Sequence, residues 1–375
     1  MSTFQERLGE VADLAFLPVS ADLQYLMGVP RDLPNFGAVL HPGAWVEGAW
    51  LAPGQPPVLA LPRMSAEFGG LGGSGDLRVH VLQDHDDPAA LVRKILRDHA
   101  LSERPCVAIA DATHGSTVSA LQELLPGASF LSATEVLRPL RVIKSEDEIE
   151  VMRRAGAITE AAFASVLGKL AHGMTELDVV SEIDHQLRRH GSLGPSFTTS
   201  LYNSGPGHPL LFGQRQATWP RSLTPPVSIL FDFGAILDGY CYDFGRSVFF
   251  GDPGKDYLEV FELVMSSQAA GIAALRAGRA TAAEADAAAR EVIAAAGHGE
   301  AFRHRLGHGI GLDVHEPPFL TASDSTLLQE GMLFTVEPSI TRFDTFSARV
   351  EDVVVVRPDG GEPLTAGFRE LLVVD

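Results

Sequence analysis

The sequence contains little cysteine, no long apolar run and no excess of basic residues. Its two cysteines, Cys106 and Cys241, exclude a disulfide framework. No apolar segment approaches the roughly 18 residues of a membrane-spanning helix, and the first residues lack the basic and apolar regions of a secretory signal. With 29 basic and 48 acidic residues the net charge is −19, which repels phosphate backbones and anionic lipids. These features predict a cytoplasmic protein that binds neither nucleic acid nor membrane.

The first third of the chain has the pattern of an α/β layer domain. The 375 residues, 45% of them hydrophobic, are enough for two domains. Short apolar runs bounded by Gly, Pro and Asp predict strands at WVEGAWLA, PPVLALP, LRVHVLQ and CVAIAD. Apolar residues at three- and four-residue steps predict helices at DPAALVRKILRDHAL and STVSALQELL. The Gly-rich segment 68–75 lacks the Gly-Lys-Ser/Thr of a phosphate loop, which favours a hairpin loop there.

We predict a domain boundary between residues 137 and 138. Pro139 is expected to break the preceding structure, and Ser145 with Glu148 three residues later has the pattern of a capping box that opens a long helix. Residues 1–137 are therefore assigned to a smaller N-terminal α/β domain and residues 138–375 to a second domain.

The second domain contains a weak internal repeat. Segments 173–191 and 278–297 each have a glycine, a Thr-initiated helix cap, a helix and a closing glycine. Each is followed by a histidine in a Gly-rich stretch, His208 and His308 respectively, and then by a strand pair with two acids. This duplication predicts two related αβ units that close into a pseudo-symmetric sheet with the acids at its centre.

The acids of each strand pair are predicted to converge. A two-residue turn at 238–239 places Asp232 diagonally across from Asp243 on one face of the first hairpin. A three-residue loop at 343–345 places Glu337 directly opposite Glu351 in the second. A single aspartate in an apolar strand is more often structural than a metal ligand, but four acids at paired positions in duplicated hairpins are harder to explain in that way.

The four predicted acids need positive charge, which divalent cations would supply. Together with His308 they form a mixed set of ligands that suits Mn, Co, Zn or Fe(II) rather than Ca. The glycines around His308 lack the strand, helix and later acid of a dinucleotide site, and they make a helical zinc pair of His304 and His308 improbable.

These segments resemble the pita-bread metallopeptidases, in the branch of Xaa-Pro dipeptidases (prolidases) and aminopeptidases P. The resemblance covers residues 138–375 through LRVIKSEDEIEVMRRA, FDFGAILDGYCYDFGRS, HRLGHGIGLDVHEPP, GMLFTVEPSI and RVEDVVVV, and extends more loosely to PVSADLQYLMGVP. It implies a creatinase/prolidase-type N-terminal domain, a pseudo-symmetric pita-bread catalytic domain and a homodimer.

The resemblance also implies a dinuclear metal centre held by Asp232, Asp243, His308, Glu337 and Glu351. Manganese is the first expectation for both ions, with Co, Zn or Fe as alternatives. Asp243 and Glu351 would bridge the ions, and a hydroxide between them would attack the scissile carbonyl because the metals lower its pKa. Glu337 would accept and donate the proton.

Other residues match non-ligand positions of the same branch. They would line the substrate site, orient the carbonyl and assist the leaving nitrogen: His208, His304, His315 and Arg349. Three of these, His208, His315 and Arg349, are expected to contact the substrate. Ser339 and Thr341 depart from the usual EPGIY pattern in the wall beside the expected proline.

The expected activity is hydrolysis of the imide bond of X-Pro dipeptides, a tertiary amide that has no N–H and a locked ring. An aminopeptidase P that releases the first residue of longer X-Pro peptides is the alternative, and a non-catalytic peptide-binding protein is a remote one. Dipeptide preference requires a cation for the free carboxylate, for which Arg342, Arg349 and Arg369 are candidates.

Overall fold

A computed structural model describes residues 1–31, 43–68, 77–102, 104–343 and 345–374. Packing contacts divide the chain into two compact units, one ending at Arg141 and the other running from Val142. The domain boundary between residues 137 and 138 remains a prediction. Apart from Phe68, the Gly-rich segment 68–75 lies outside the described residues.

The first unit is built on a mixed β-sheet. Its described strands are β1 (Leu14–Leu17), β2 (Gly48–Leu51), β3 (Val58–Pro62), β4 (Arg78–Leu82), β5 (Cys106–Ile109) and β6 (Ser129–Ser132). Its described helices are α1 (Ser2–Val11), α2 (Ala21–Met27), α3 (Arg63–Phe68), α4 (Pro88–Asp98), α5 (Gly115–Leu124) and α6 (Thr134–Arg141), with a 3₁₀ turn at Ala44–Val46. The strand order is β4-β3-β2-β1-β5-β6, with β1–β2 and β2–β3 antiparallel and the other pairs parallel.

Apolar residues on both faces of this sheet explain why these segments form a layered domain. Ala15 and Leu17 of β1 join one buried cluster with residues of α1 and α6, whereas Leu14 and Phe16 join another with residues of α4 and α5. Successive strand residues point to opposite faces, so a strand that is apolar throughout is covered on both sides. The predicted α/β class is confirmed.

Pro139 does not end the preceding structure, contrary to the sequence-based expectation. Helix α6 includes it and continues to Arg141. Proline removes the hydrogen bond to the carbonyl four residues earlier; here that carbonyl belongs to Glu135, an exposed residue in the first turn of α6. Water can therefore satisfy it.

The second unit consists of two similar halves. The first half contains α7 (Glu146–Leu167), α8 (Glu176–Arg189), β7 (Ser200–Ser204), α9 (Arg215–Thr218), β8 (Val227–Phe233), β9 (Ile236–Leu237), β10 (Tyr240–Cys241) and β11 (Phe244–Phe250). The second contains α10 (Gly254–Ala274), α11 (Ala282–Ala295), a 3₁₀ turn at Gly299–Ala301, β12 (Gly307–Gly309), β13 (Glu316–Leu320), β14 (Leu333–Val336), β15 (Ser339–Ile340), β16 (Ala348–Arg349), β17 (Asp352–Arg357), β18 (Gly360–Pro363) and β19 (Leu372–Val374).

The helices of each half begin as the sequence predicts. Ser145, Thr175 and Thr281 each accept a hydrogen bond from the backbone N–H three residues later, and the acid at that later position bonds back to the N–H of the capping residue. Such capping boxes satisfy backbone donors that a helix start leaves unpaired. The local signals therefore set the starts of α7, α8 and α11.

Each helix pair packs on its own sheet. Sheet β19-β11-β8-β7 lies against α7 and α8, with Phe163 in edge-to-face contact with Phe231 and Phe244. Sheet β13-β12-β14-β17-β18 lies against α10 and α11. Val353 and Val355 of β17 join the first cluster, whereas Val354 and Val356 join the second. The two cores thus meet along β17.

The strand registers agree with those expected for both hairpins. Ile236 pairs with Cys241 and Asp232 pairs with Gly245 in the first hairpin. In the second, Val336–Asp352 and Ser339–Arg349 are paired, which places Glu337 opposite Glu351. The expected three-residue loop is wrong in length, because the last paired residues are Ile340 and Ala348 and the connection spans 341–347. There the Ser347 hydroxyl accepts a bond from the Arg342 N–H in place of a ladder bond.

None of the helices formed by the described residues combines the length and apolar character that crossing a bilayer requires.

Candidate metal centre and substrate cavity

A cavity of about 840 Å³ opens where the two halves of the second unit meet. It falls in the size range typical of small-ligand sites. Its walls contain all five predicted metal ligands together with Arg349: Asp232, Asp243, His308, Glu337, Arg349 and Glu351. Several of the other lining residues are aromatic or basic, among them Phe197, Tyr202, Phe212, Arg215, Arg305 and Phe319.

Three of the predicted ligands form a compact group. One donor atom each from Asp243, His308 and Glu351 lies within 4.8 Å of the other two, and all three side chains are buried. Asp243 Oδ1 has no hydrogen-bond partner among the described residues. A buried carboxylate oxygen without a partner is costly, so this group fits a cation better than it fits a purely structural role.

The other two acids are held beside this group. Glu337 Oε1 lies 3.6 Å from His308 Nε2 and accepts a hydrogen bond from the Thr335 hydroxyl at 3.2 Å. Asp232 Oδ2 lies 2.9 Å from Arg349 Nη2. The structure therefore brings all five residues to one cavity, while their roles as ligands remain predictions.

The His308 ring has the orientation that a metal ligand requires. Its Nδ1 lies 3.0 Å from the Gly309 carbonyl, which can only accept, so Nδ1 carries the proton. Nε2 then faces Asp243 Oδ2 and Glu337 Oε1, each at 3.6 Å. An imidazole lone pair that faces two carboxylates is repelled unless a proton or a cation lies between them. A backbone bond that fixes the tautomer in this way is common behind metal-binding histidines.

The acids perturb one another strongly. Burial, reinforced by the charges of Asp243 and Glu337, raises the pKa of Glu351 well above its ordinary value. Burial also raises the pKa of Asp232 to about 6, although Arg349 opposes the shift. The pKa of Glu337 is likewise raised by burial against the effect of Arg349. Burial disfavours the protonated form of His308, but Asp243 and Glu337 outweigh it and raise the pKa of the ring.

Arg349 is the guanidinium at the centre of these acids. Its Nη2 lies 2.8 Å from Glu351 and 2.9 Å from Asp232, and Nη1 lies 3.7 Å from Glu337. Its pKa is raised well above the ordinary value because these carboxylates outweigh the effect of burial. One guanidinium against four carboxylates still leaves an excess of negative charge, which two divalent ions would offset.

Gly245 lies directly behind the candidate centre, at a position that the sequence-based reasoning missed. A Cβ at this residue would lie 2.8 Å from both Cβ and Oε2 of Glu351 and 3.3 Å from Nε of Arg349. The backbones of Gly245 and Glu351 exchange two hydrogen bonds, of 3.3 and 2.9 Å. Only a residue without a side chain lets the two halves approach this closely, and nothing in the local sequence distinguishes this glycine from the many others.

The predicted non-ligand histidines occupy different surroundings. His304 and His315 line the cavity, and burial together with a neighbouring charge lowers the pKa of each to about 4. His315 lies against the ring of His308, with centroids 4.1 Å apart. His208 is not among the lining residues; its Nε2 contacts the backbone of Thr224, and burial lowers its pKa. The structure thus brings two of the three histidines to the centre, and the role of His208 stays a prediction.

Ser339, which departs from the usual EPGIY pattern, contacts His304. The ring Nδ1 donates to the Arg305 carbonyl at 2.8 Å, so Nε2 accepts from the Ser339 hydroxyl, also at 2.8 Å. Thr341 Oγ1 lies 3.4 Å from the same hydroxyl. Both nitrogens of His304 are therefore engaged. His315 has no hydrogen bond to any of the described residues, which leaves its ring available to a substrate.

Two of the three cations proposed for a substrate carboxylate need correction. Arg342 bonds Asp256 and Arg369 contacts Asp352 at 3.3 Å, and neither lines the cavity. Both are drawn to acids on neighbouring elements, which sequence position alone does not reveal. The third candidate, Arg349, does line the cavity, together with Arg215 and Arg305.

Comparisons with known proteins agree with this geometry. The model of metallopeptidase family M24 matches residues 150–358, more than half of the chain. A Xaa-Pro dipeptidase of Lactobacillus delbrueckii subsp. lactis is 35% identical over 269 residues, which cover 70% of this chain and 71% of that protein. A solved dipeptidase from Pyrococcus horikoshii superposes with a TM-score of 0.85 at 28% identity, with complete coverage of both chains. A solved X-Pro aminopeptidase from Thermotoga maritima has a TM-score of 0.82 at 26% identity, with 99% coverage of both.

The chain belongs to metallopeptidase family M24, whose members are hydrolases that use divalent metal ions. Its fold is the pita-bread fold of the prolidases and their relatives, as the resemblance predicted.

Proposed function

We propose that this protein is a Xaa-Pro dipeptidase whose centre holds two divalent ions, with manganese as the preferred metal. The single observation that carries the proposal is the buried group of Asp243, His308 and Glu351, with Asp232 and Glu337 in the same cavity. Carboxylates and one imidazole suit Mn and its neighbours in the series. The M24 relatives of known name, a Xaa-Pro dipeptidase among them, support the substrate class.

The chain supplies the ligands and the proton carrier of this reaction. Asp243 and Glu351 would hold both ions, Asp232 one of them, and His308 with Glu337 the other. Bound divalent ions lower the pKa of a water molecule and polarise the scissile carbonyl. Glu337 would accept the proton of the attacking water, since its carboxylate lies in the same cavity as the other proposed ligands.

The remaining polar groups of the cavity orient the substrate. His315, neutral at pH 7 because its pKa is about 4, offers a ring N–H to the peptide oxygen or to the leaving nitrogen. Arg349 holds Asp232 and Glu351 in position through Nη2. Aromatic side chains of Phe197, Tyr202 and Phe319 supply apolar wall for a proline ring.

Metal removal and substrate length test the proposal. Exhaustive chelation should abolish hydrolysis of Ala-Pro, and manganese should restore it; full activity in protein shown by elemental analysis to be free of metal would contradict the metal mechanism. Comparing hydrolysis of Ala-Pro with that of Ala-Pro-Ala separates a dipeptidase from an aminopeptidase P. The similarity to the solved X-Pro aminopeptidase of Thermotoga maritima is the reason to test this alternative. The homodimer and the cytoplasmic location remain predictions; sedimentation of the purified protein tests the former.

A further inference from the structure

The lining of the cavity contains three arginines, and two of them are already engaged or exposed. Arg349 is paired with Asp232 and Glu351. Arg215 is solvent-exposed and donates to the Ser200 hydroxyl at 3.1 Å. Neither is therefore a partly buried cation that lacks an acceptor, which is what binding of a small anion requires.

Arg305 has the uncommitted guanidinium. Its side chain makes no hydrogen bond or ion pair with any of the described residues, and its buried Nε has no partner. The guanidinium carbon instead lies 4.8 Å from the centre of the Phe319 ring. A charged donor that is buried without an acceptor is costly, so this arrangement favours an acceptor supplied by a ligand.

The position of Arg305 connects it to the proposed metal centre. Phe319, on which the guanidinium rests, pairs with His308 across strands β12 and β13. Arg305 also lines the same cavity as Glu337, His304 and His315. The Arg305 guanidinium therefore faces the same cavity as the predicted ligands, and none of the described acids forms an ion pair with it.

We propose that Arg305, laid on Phe319, binds the free C-terminal carboxylate of the dipeptide and thereby determines substrate length. The inference rests on the proposed function. A guanidinium presents a planar fork that matches a carboxylate. In a dipeptide the carboxylate follows directly after the ring that the scissile bond releases. In a longer peptide a neutral amide stands there and leaves the arginine donors unpaired, which is a strong ground for discrimination.

The test compares Ala-Pro with its C-terminal amide, which has the same length but no charge. For Arg305→Gln we expect the KM for Ala-Pro to rise about 10- to 100-fold, the effect of losing a hydrogen bond between charged groups. kcat should change little, and the kinetics on the amide should stay the same. Arg305→Lys should recover part of the lost affinity, because it keeps the charge but not the fork.

Arg303→Gln is the matched control. Arg303 lies two residues away, is exposed, rests on the ring of Phe343 at 5.0 Å and does not line the cavity. Arg303→Gln should leave the kcat and KM for Ala-Pro and for its amide unchanged. Metal content and thermal midpoint are measured for every variant. If Arg305→Gln does not fold, Arg305→Lys decides, and an unchanged KM for Ala-Pro in that variant would overturn the inference.

The outcomes separate this inference from the proposed function. One outcome is that the wild type cleaves Ala-Pro while Arg305→Gln raises the KM for the amide as much as the KM for Ala-Pro. In that case the proposed carboxylate role of Arg305 is wrong, and the dipeptidase function stands. If the metal-loaded wild type cleaves neither, the proposed function is wrong. Calorimetric titration of Ala-Pro and its amide into wild type and Arg305→Gln then decides on Arg305 alone, and equal affinities would refute its role.

Discussion

At the scale of single residues, the proposed centre depends on charges that are tolerable only together. Asp243 has a buried oxygen that no described residue bonds, and Glu351 is buried beside other carboxylates. Arg349 offsets part of this charge, and the Gly309 carbonyl sets the tautomer of His308. Each of these groups would be costly alone. Their roles can therefore be separated by substitutions that change charge but hardly any volume.

Asp243→Asn should remove both activity and at least one metal ion. The amide keeps the shape of the carboxylate but can no longer bridge two cations. The loss of metal affinity should exceed the roughly 10- to 100-fold typical when a group that only orients a ligand is changed. Elemental analysis and Ala-Pro hydrolysis measure the two effects. Asp359→Asn, at an exposed turn, is the control; full activity of Asp243→Asn would contradict its assignment.

His315→Ala should lower kcat/KM for Ala-Pro by about 10²-fold or more, the usual contribution of a positioned proton donor or acceptor. Metal content and thermal midpoint should stay near those of the wild type, because the ring bonds none of the described residues. His185→Ala, exposed on α8, provides the control. If His315→Ala instead loses metal in proportion to activity, the role of His315 is to hold the His308 ring, which it contacts.

At the scale of elements, the centre forms where strand β11 meets the chain at Glu351. The backbone of Gly245 makes this contact. The Arg246 guanidinium reinforces it by donating to the carbonyls of Gly245 and Glu351, and it pairs with the buried Asp352 at 2.6 Å. Gln268 of α10 also bonds Asp352. The two halves are thus joined by backbone and buried charge directly behind the acids.

Gly245→Ala should separate these elements. The new methyl group would lie 2.8 Å from Glu351, so the strands must move apart. We expect a loss of about 1–3 kcal/mol in the free energy of unfolding, typical of overpacking, and about a 10²-fold loss of kcat, because misplacement by about 1 Å is enough. Chemical denaturation and steady-state kinetics measure these. Gly168→Ala, whose Cβ would meet nothing closer than 3.8 Å, is the control; equal effects in both would refute the close-approach argument.

At the scale of the whole molecule, the acidic centre links stability to pH and to metal. Asp232 has a pKa of about 6 in the folded protein, above its ordinary value of 3.8. The folded state of the metal-free protein therefore binds more protons at this site than the unfolded state. The contribution of Asp232 to the free energy of unfolding must therefore fall as the pH rises from about 4 to about 6. Metal binding to the folded state should reverse the loss.

Asp232→Asn should consequently stabilise the metal-free protein at pH 7 but hardly at pH 4, because the amide cannot ionise. The difference should reach at most about 3 kcal/mol, as follows from a shift of about two pKa units. With manganese added, the wild type should gain more stability than the variant. Thermal midpoints across pH, with Asp359→Asn as the control, measure this. A stabilisation that is independent of pH would contradict the linkage.

Much of the architecture follows from local sequence signals. The capping boxes at Ser145, Thr175 and Thr281 and the turn at 238–239 act within a few residues, and the structure has them as expected. The register of the first hairpin follows from that turn, which is why Asp232 and Asp243 could be placed on one face in advance. The loop at 341–347 could not be predicted in length, because a side-chain bond from Ser347 replaces the ladder.

The sequence alone determined the kind of chemistry available, because residue types and spacings set which ligands can share a strand face. The tertiary structure decided which charges meet. Gly245 and Glu351 are more than a hundred residues apart, and their contact depends on how two sheets pack. The same packing lays Arg305 on Phe319 without an ion pair to any described residue, while Arg342 and Arg369 are paired elsewhere. Such long-range neighbours depend on burial and shape, which no local pattern encodes.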